Sequence, residues 1–211
     1  MSQAPNLPHF APALVHVEER ADGTMVVRSP APLGAADRQL GVWLRRWAKE
    51  RPDATFLAER DATGAWRRLS YAEALVGANA ISQAFLDRGL GPTRPVMILS
   101  GNALDHALVA LGAMQVGIPI APVSPAYSLM SQDFAKVKYA FDLTEPGLVY
   151  AAAHGPFAGA LGTLDLGRTE LVFSAPPPAG MQASVLGDLL KTRPTEAVER
   201  ASHAVRPDMV A

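Results

Sequence analysis

Chemically useful side chains are concentrated in one short segment, Ser100–His106, which holds a hydroxyl, an amide, a carboxylate and an imidazole. The segment follows an apolar run of strand length and begins a helical pattern, and ligands of open α/β sheets bind at that edge. In the interpretation we favour, Asn102 caps the helix, Asp105 complements its dipole and His106 is a partly exposed structural histidine. In the alternative, these side chains contact a substrate.

Two further groups of charged residues could bind an anion. The first lies on a predicted helix and could meet phosphate groups such as those of CoA; it comprises Arg45, Arg46, Lys49 and Arg51. The second, on a later predicted helix, comprises Asp133, Lys136 and Lys138. Both groups also fit the solvated face of an amphipathic helix, which is the simpler interpretation and the one we favour.

The sequence contains none of the common catalytic motifs. Neither a Walker-type phosphate loop nor a G-x-G-x-x-G fingerprint occurs, and G-x-S-x-G is also missing. The five histidines, at positions 9, 16, 106, 154 and 203, are not at metal-ligand spacing, and the chain has no cysteine. We therefore assign no catalytic residue and no metal ligand, and the cofactor-binding residues stay unknown.

Composition narrows the class of protein. Hydrophobic residues make up 49% of the 211 and charged residues 18%, as in a globular protein, and the net charge of −1 provides no basic field for nucleic acid. Residues Met1–Pro12 lack the basic start and apolar run of a secretory signal, so we expect a cytoplasmic location. The uncharged stretch Ala107–Val123 contains Gly117, Pro119 and Pro122, which favours a buried helix and strand over a membrane span.

The elements that must position these residues follow from periodicity and turn signals. We predict an N-terminal arm, 1–39, with a strand pair in Leu14–Arg28 around Asp22-Gly23, followed by an α/β region, 40–211. The predicted helices are Leu40–Glu50 with both tryptophans packed inward, Ser70–Arg88 with a Ser70/Glu73 capping box and a stop at Gly89, Ala103–Val116, Ser131–Leu143, Phe157–Leu161, Val185–Lys191 and Thr195–His203. The predicted strands are a hairpin of Thr55–Glu59 with Ala65–Leu69, then Pro95–Ser100, Ile118–Val123, Leu148–Ala151 and Glu170–Phe173. Strands that alternate with helices in this way predict an α/β fold with a largely parallel sheet and flanking helices.

Three segments, in order and at suitable spacing, resemble a known family. They are Leu69–Leu75, which reads LSYAEAL, Val96–Asn102, which reads VMILSGN, and Ala113–Pro125, with its A-x-x-x-G end and P-x-x-P run. This pattern is similar to the N-terminal part of adenylate-forming enzymes, the group of acyl- and aryl-CoA synthetases, luciferases and adenylation domains. Upstream, Glu18–Thr24 and Arg28–Leu33 look most like bacterial feruloyl-CoA synthetases.

The resemblance implies a parent ligase that joins a hydroxycinnamate-like aromatic acid to CoA, using ATP and Mg²⁺ and releasing AMP and pyrophosphate. The family's phosphate loop would follow shortly after Arg206–Val210, so we expect a subdomain truncated before that loop, with no cofactor of its own and no activity alone. An incomplete sheet would leave an edge and apolar surface exposed, so we also expect self-association. Two alternatives stay open: a self-contained, non-catalytic binding or interaction module derived from such an enzyme, and an unrelated α/β enzyme.

Overall fold

The computed structural model describes residues 14–32 and 34–210, which belong to two units, Met1–Asp37 and Arg38–Ala211. The first unit contains an antiparallel pair, β1 (His16–Glu19) and β2 (Met25–Arg28), in which Val17 faces Val27. The turn between them is at Asp22-Gly23, where Gly23 has a φ of +82° and Asp22 Oδ1 accepts the Thr24 N–H at 2.9 Å. The sequence interpretations of Met1–Pro12, His9 and Leu33 concern residues outside this description.

The second unit alternates helices with strands along the chain. Its elements are α1 (Gly41–Glu50), β3 (Thr55–Arg60), β4 (Trp66–Ser70), α2 (Tyr71–Asp87), β5 (Val96–Leu99), α3 (Leu104–Met114), β6 (Ile120–Pro122), α4 (Pro125–Leu129), α5 (Ala135–Thr144), β7 (Leu148–Ala151), α6 (His154–Leu161), β8 (Glu170–Phe173), β9 (Ser184–Val185), α7 (Leu186–Leu189) and α8 (Glu196–Ala204). Strands β3 and β4 form the predicted hairpin. Strands β5 to β9 form one parallel sheet in the order β6-β5-β7-β8-β9, which confirms the predicted α/β fold.

The sheet is covered on both faces because successive side chains of β5 point to opposite sides. Val96 and Ile98 join a buried cluster with residues of α2, α3 and α8. Met97 and Leu99 join a second cluster with residues of α5 and α6. All four β5 residues are fully buried, so this strand is the centre of a three-layer arrangement.

Helix α2 begins and ends at the predicted signals. The Ser70 hydroxyl accepts the Glu73 N–H at 3.2 Å, and the Glu73 carboxylate accepts the Ser70 N–H at 2.8 Å, which confirms the capping box. Gly89 has a φ of +65°, the left-handed geometry that a helix stop requires. Further along, α2 lies close to α3, because a Cβ on Gly112 would stand only 2.6 Å from Ile81 Cγ2.

Two predictions about local structure were wrong, and two short elements were missed. Helix α5 begins at Ala135 instead of Ser131, because Phe134 has a φ of +52° and the Ser131 hydroxyl accepts the Phe134 N–H at 3.1 Å. Trp43 is half exposed instead of packed inward, because Leu44, the next residue, occupies the buried side of α1. The short elements α4 and β9 were not predicted at all.

The uncharged stretch Ala107–Val123 forms the end of α3, a turn and β6. Within residues 14–32 and 34–210, no helix combines the length and apolarity that crossing a bilayer needs. Strand β6 lies at one edge of the sheet, where Pro122 lacks the N–H that a further strand would need.

Candidate functional site

The strand order places a topological switch point between β5 and β7. Strand β6 lies on one side of β5 and β7 on the other, so the connections that leave β5 and β7 diverge at the carboxyl edge of the sheet. Ligands of open α/β sheets bind in the crevice at such a point. Ser100, Gly101 and Asn102 follow β5 directly, so the segment singled out from the sequence lies at this edge.

A cleft of about 270 Å³ opens beside this edge. One wall is the end of β3 and the other is the start of α3; the lining residues are Leu57, Ala58, Glu59, Asn102, Ala103, Leu104, His106 and Ala107. Most of this surface is apolar, and the polar groups come from Glu59, Asn102 and His106. An apolar cleft with a few convergent polar groups is the usual form of a small-molecule site.

Glu59 caps α3 in place of Asn102. Glu59 Oε2 accepts the Leu104 N–H at 2.8 Å, and Ala103, which occupies the cap position, makes no side-chain cap. The prediction that Asn102 caps this helix was therefore wrong. The physical reason is that a carboxylate from β3 reaches the first free N–H of the helix, where negative charge also complements the helix dipole.

An arginine joins the two carboxylates at this helix start. Arg67 Nη2 lies 2.9 Å from Glu59 Oε1 and 3.0 Å from Asp105 Oδ1, so its positive charge stands between them. Asp105 lies in the first turn of α3, as predicted. Sequence patterns did not single out Glu59 or Arg67 as site residues, because Leu104 lies 45 residues from Glu59 and Asp105 lies 38 residues from Arg67 along the chain.

His106 is fixed to the end of β5. Its Nδ1 lies 2.9 Å from the Ser100 hydroxyl and 3.2 Å from the Gly101 carbonyl oxygen. A carbonyl only accepts, so we assign a proton to Nδ1, which donates to it. These two contacts fix the orientation of the imidazole at the cleft wall.

Tyr150 ends in a buried hydrogen bond on the neighbouring strand. Its hydroxyl lies 2.7 Å from the Ser174 hydroxyl, and burial raises the Tyr150 pKa to about 12. The hydroxyl is therefore neutral under physiological conditions, and its role is to tie β7 to the residue that follows β8. Nearby, His154 packs edge-on against Phe173.

The predicted basic cluster on α1 is not assembled as one anion site. Arg45 pairs with Glu199 of α8, and the Arg46 guanidinium lies 5.0 Å from the centre of the Trp47 ring. Arg45 and Arg46 therefore contact different neighbours. Lys49 and Arg51 are exposed at the end of the helix.

The charged group on α5 is likewise engaged locally. Lys136 stacks on the Tyr127 ring at 4.7 Å, and Lys138 pairs with Asp142 at 3.3 Å. The Ala135 N–H and the Ser131 hydroxyl donate to Asp133 and hold its pKa below the ordinary value. The two lysines are therefore engaged by neighbouring residues and do not assemble an anion site.

The described residues do not fit a metal site. Across residues 14–32 and 34–210, no three His, Asp or Glu side chains are grouped as metal ligands would be. Glu59 and Asp105 are neighbours, but Arg67 supplies the positive charge between them.

Comparison with known proteins decides the family. The family model for AMP-binding enzymes matches residues 44–201, well over half of the chain. The chain belongs to the AMP-binding enzyme family. The match begins in α1 and ends in α8, so it includes the parallel sheet and the carboxyl-edge cleft of this family member.

Solved structures show the same fold. A protein assigned as a long-chain-fatty-acid CoA ligase from Rhodopseudomonas palustris matches with a TM-score of 0.59 and 22% identity, over 75% of this chain and 37% of the ligase. A benzoate CoA ligase from Burkholderia xenovorans matches with a TM-score of 0.58 and 19% identity, over 74% of this chain and 29% of the ligase. A luciferase-like enzyme from the mealworm Zophobas morio matches with a TM-score of 0.61 and 12% identity, over 83% of this chain and 37% of that enzyme.

These matches also show a difference in length. The chain spans 29–37% of these three solved structures. No curated protein sequence matches it.

Proposed function

We propose that this chain is the N-terminal part of an AMP-forming acid–CoA ligase. In the proposed reaction a carboxylate attacks the α-phosphate of ATP, which gives an acyl-adenylate and pyrophosphate, and the CoA thiol then displaces AMP to give the thioester. The observation that carries the proposal is the family match over residues 44–201. The aligned part covers only 37% and 29% of the two ligases, which supports a part over a self-contained module.

The acid we propose is aromatic and hydroxycinnamate-like. Support comes from the resemblance of Glu18–Thr24 and Arg28–Leu33 to feruloyl-CoA synthetases. The ligases of similar fold are named for a long-chain fatty acid and for benzoate, so the fold is compatible with more than one acid. Because ATP and CoA are cytoplasmic metabolites, the proposal includes a cytoplasmic location.

In this proposal the described residues form a rigid wall and carry no reacting group. ATP, Mg²⁺ and CoA are held mainly by residues beyond this chain, since the sequence contains no phosphate loop and the described residues do not fit a metal. The proposed role of the chain is structural. It packs β5 between two helical layers and forms the cleft beside α3 at the edge of the sheet.

The test is to read the coding DNA past codon 211 and to assay the encoded full-length protein. We expect an open frame that continues into a Thr/Ser/Gly-rich loop ending in Pro-Lys. We then expect AMP and pyrophosphate release that depends on ferulate, ATP and CoA, with weaker release on benzoate and palmitate. The 211-residue chain, assayed beside it, should show no turnover.

Each outcome bears on a different part of the proposal. A stop codon directly after Ala211 contradicts the assignment to a longer ligase. Turnover of palmitate in preference to ferulate contradicts the acid class alone, and ligase activity of the 211-residue chain contradicts its proposed role as a wall.

A further inference from the structure

Helix α5 is apolar on two opposite sides. Val137 and Phe141 are buried in the cluster that covers the sheet. Tyr139 and Leu143, four residues apart and so on one side of the helix, are 68% and 67% exposed. A surface helix has one apolar side, whereas a helix that is apolar on two sides lies between two packed layers.

The outward side of α5 continues onto α4. At the end of α4, Leu129 is 50% exposed and Met130 is 82% exposed, and α4 packs against α5. The Lys136 ammonium lies over the Tyr127 ring and links the two helices. We call this surface the α4–α5 face; it comprises Tyr127, Leu129, Met130, Tyr139 and Leu143.

Charged groups border the α4–α5 face. The Lys136 ammonium lies 4.7 Å from the centre of the Tyr127 ring, and Lys138 with Asp142 forms an ion pair on the same helix. An apolar patch with a polar rim marks a protein interaction site, whereas single exposed hydrophobic residues are ordinary. Val76 on α2, which is 68% exposed, serves as an example of a single exposed hydrophobic residue.

We infer that the α4–α5 face is where the rest of the ligase polypeptide packs onto this part. The inference rests on the proposed function. Two observations name the occupant: α5 has a second apolar side, and the matched part is only 29–37% of the ligases compared above, so most of each ligase lies outside it. The covering surface is apolar and carries a carboxylate opposite Lys136, because burial of that ammonium needs a paired charge.

The cysteine-free sequence allows a direct test by thiol labelling. Leu143→Cys places one thiol on the α4–α5 face, and Val76→Cys places a matched thiol of nearly equal exposure on α2. Each substitution is made in the 211-residue chain and in the full-length protein encoded by the same frame. Labelling by a maleimide is followed by mass spectrometry of the peptide, so that cysteines beyond Ala211 do not interfere.

We expect both thiols to label rapidly in the 211-residue chain. In dilute full-length protein we expect labelling at position 143 to be slower by about tenfold or more, while labelling at position 76 stays unchanged. Equal labelling of position 143 in the two chains overturns the inference, as does equal slowing at both positions. Slowing that grows with protein concentration identifies a second copy as the occupant and also overturns it.

Failure of this inference is distinct from failure of the proposed function. An active full-length ligase with an open position 143 overturns the docking surface and leaves the function in place. A protected position 143 in a protein without ligase activity supports the docking surface and contradicts the function.

Discussion

Glu59 Oε2 lies 2.8 Å from the backbone nitrogen of Leu104, so a carboxylate of the β3–β4 hairpin caps the helix that begins at the candidate site. The same carboxylate contacts Arg67, which also holds Asp105 in the first turn of that helix. The hairpin is therefore fastened to the carboxyl edge of the sheet, and one side chain both lines the cleft and stabilises its wall.

This relationship predicts unequal effects at two neighbouring polar residues of the cleft. Glu59→Ala should lower the free energy of unfolding by about 1–2 kcal/mol, because the Leu104 N–H loses its acceptor. Asn102→Ala should change it by less than about 0.5 kcal/mol, since Asn102 does not cap the helix. Urea unfolding followed by circular dichroism measures both, and a larger loss for Asn102→Ala would contradict the assignment.

The capping box of α2 predicts a pH-dependent contribution to stability. The Ser70 N–H donates to Glu73 and lowers the pKa of that carboxyl below its ordinary 4.5. A lowered folded pKa gives stability that is present above 4.5 and lost as the pH falls through the folded value. Glu73→Gln keeps an acceptor for the Ser70 N–H but cannot ionise, so the stability difference between wild type and variant should shrink as the pH falls below 4.5.

The same experiment needs a structural control. Ser70→Ala should cost about 1 kcal/mol at neutral pH, because the hydroxyl that accepts the Glu73 N–H is removed. Asp22, Asp61, Asp133 and Asp208 also have lowered pKa values, but they are common to wild type and variant and cancel in the difference. A difference that does not vary with pH would show that the Glu73 charge contributes nothing.

Because α2 packs closely on α3, one added methyl group at their contact should lower the free energy of unfolding. In Gly112→Ala the new Cβ would stand 2.6 Å from Ile81 Cγ2 and 3.2 Å from the Ala78 carbonyl oxygen. We expect a loss of about 1–3 kcal/mol in the free energy of unfolding. Gly155→Ala on α6 is the matched control, because its Cβ meets nothing within 4 Å. A gain of up to about 1 kcal/mol is expected there, and equal effects at the two glycines would contradict the close approach.

A left-handed residue ends α5 and offers a stabilising substitution. Glu145 has a φ of +44° and is exposed, and its N–H donates to the Phe141 carbonyl. Glu145→Gly should raise the free energy of unfolding by about 0.5–1 kcal/mol, because glycine adopts this conformation without steric cost. Glu145→Ala keeps the strain and should bring no gain, so thermal unfolding of the two variants separates backbone strain from loss of charge.

The sequence was informative where the physical signal is local. The capping box spans three residues, the stop at Gly89 is a single residue, and each central strand is a short apolar run, so these were predicted. The family resemblance rests on the same local segments. The parallel sheet followed because strand and helix signals alternate along the chain.

The site was less predictable because its contacts are distant in sequence. Glu59 and Leu104 are 45 residues apart, and nothing near Asn102 shows that its capping position is taken over by another strand. Phe134 is not a residue type that favours a positive φ, so the late start of α5 had no visible signal. Strand β9 has only two residues, too few for any periodicity.

The place of β5 inside the sheet, between β6 and β7, has a consequence for how the chain reaches its folded state. Met97 of β5 pairs with Val149 of β7, and these residues are 52 positions apart, whereas β3 and β4 are joined by a short turn. Non-local pairing of this kind slows folding, because a long loop must close before the contacts form. During synthesis, one edge of the entirely apolar β5 stays unpaired until β7 has left the ribosome. The nascent chain is therefore most prone to aggregation during that interval.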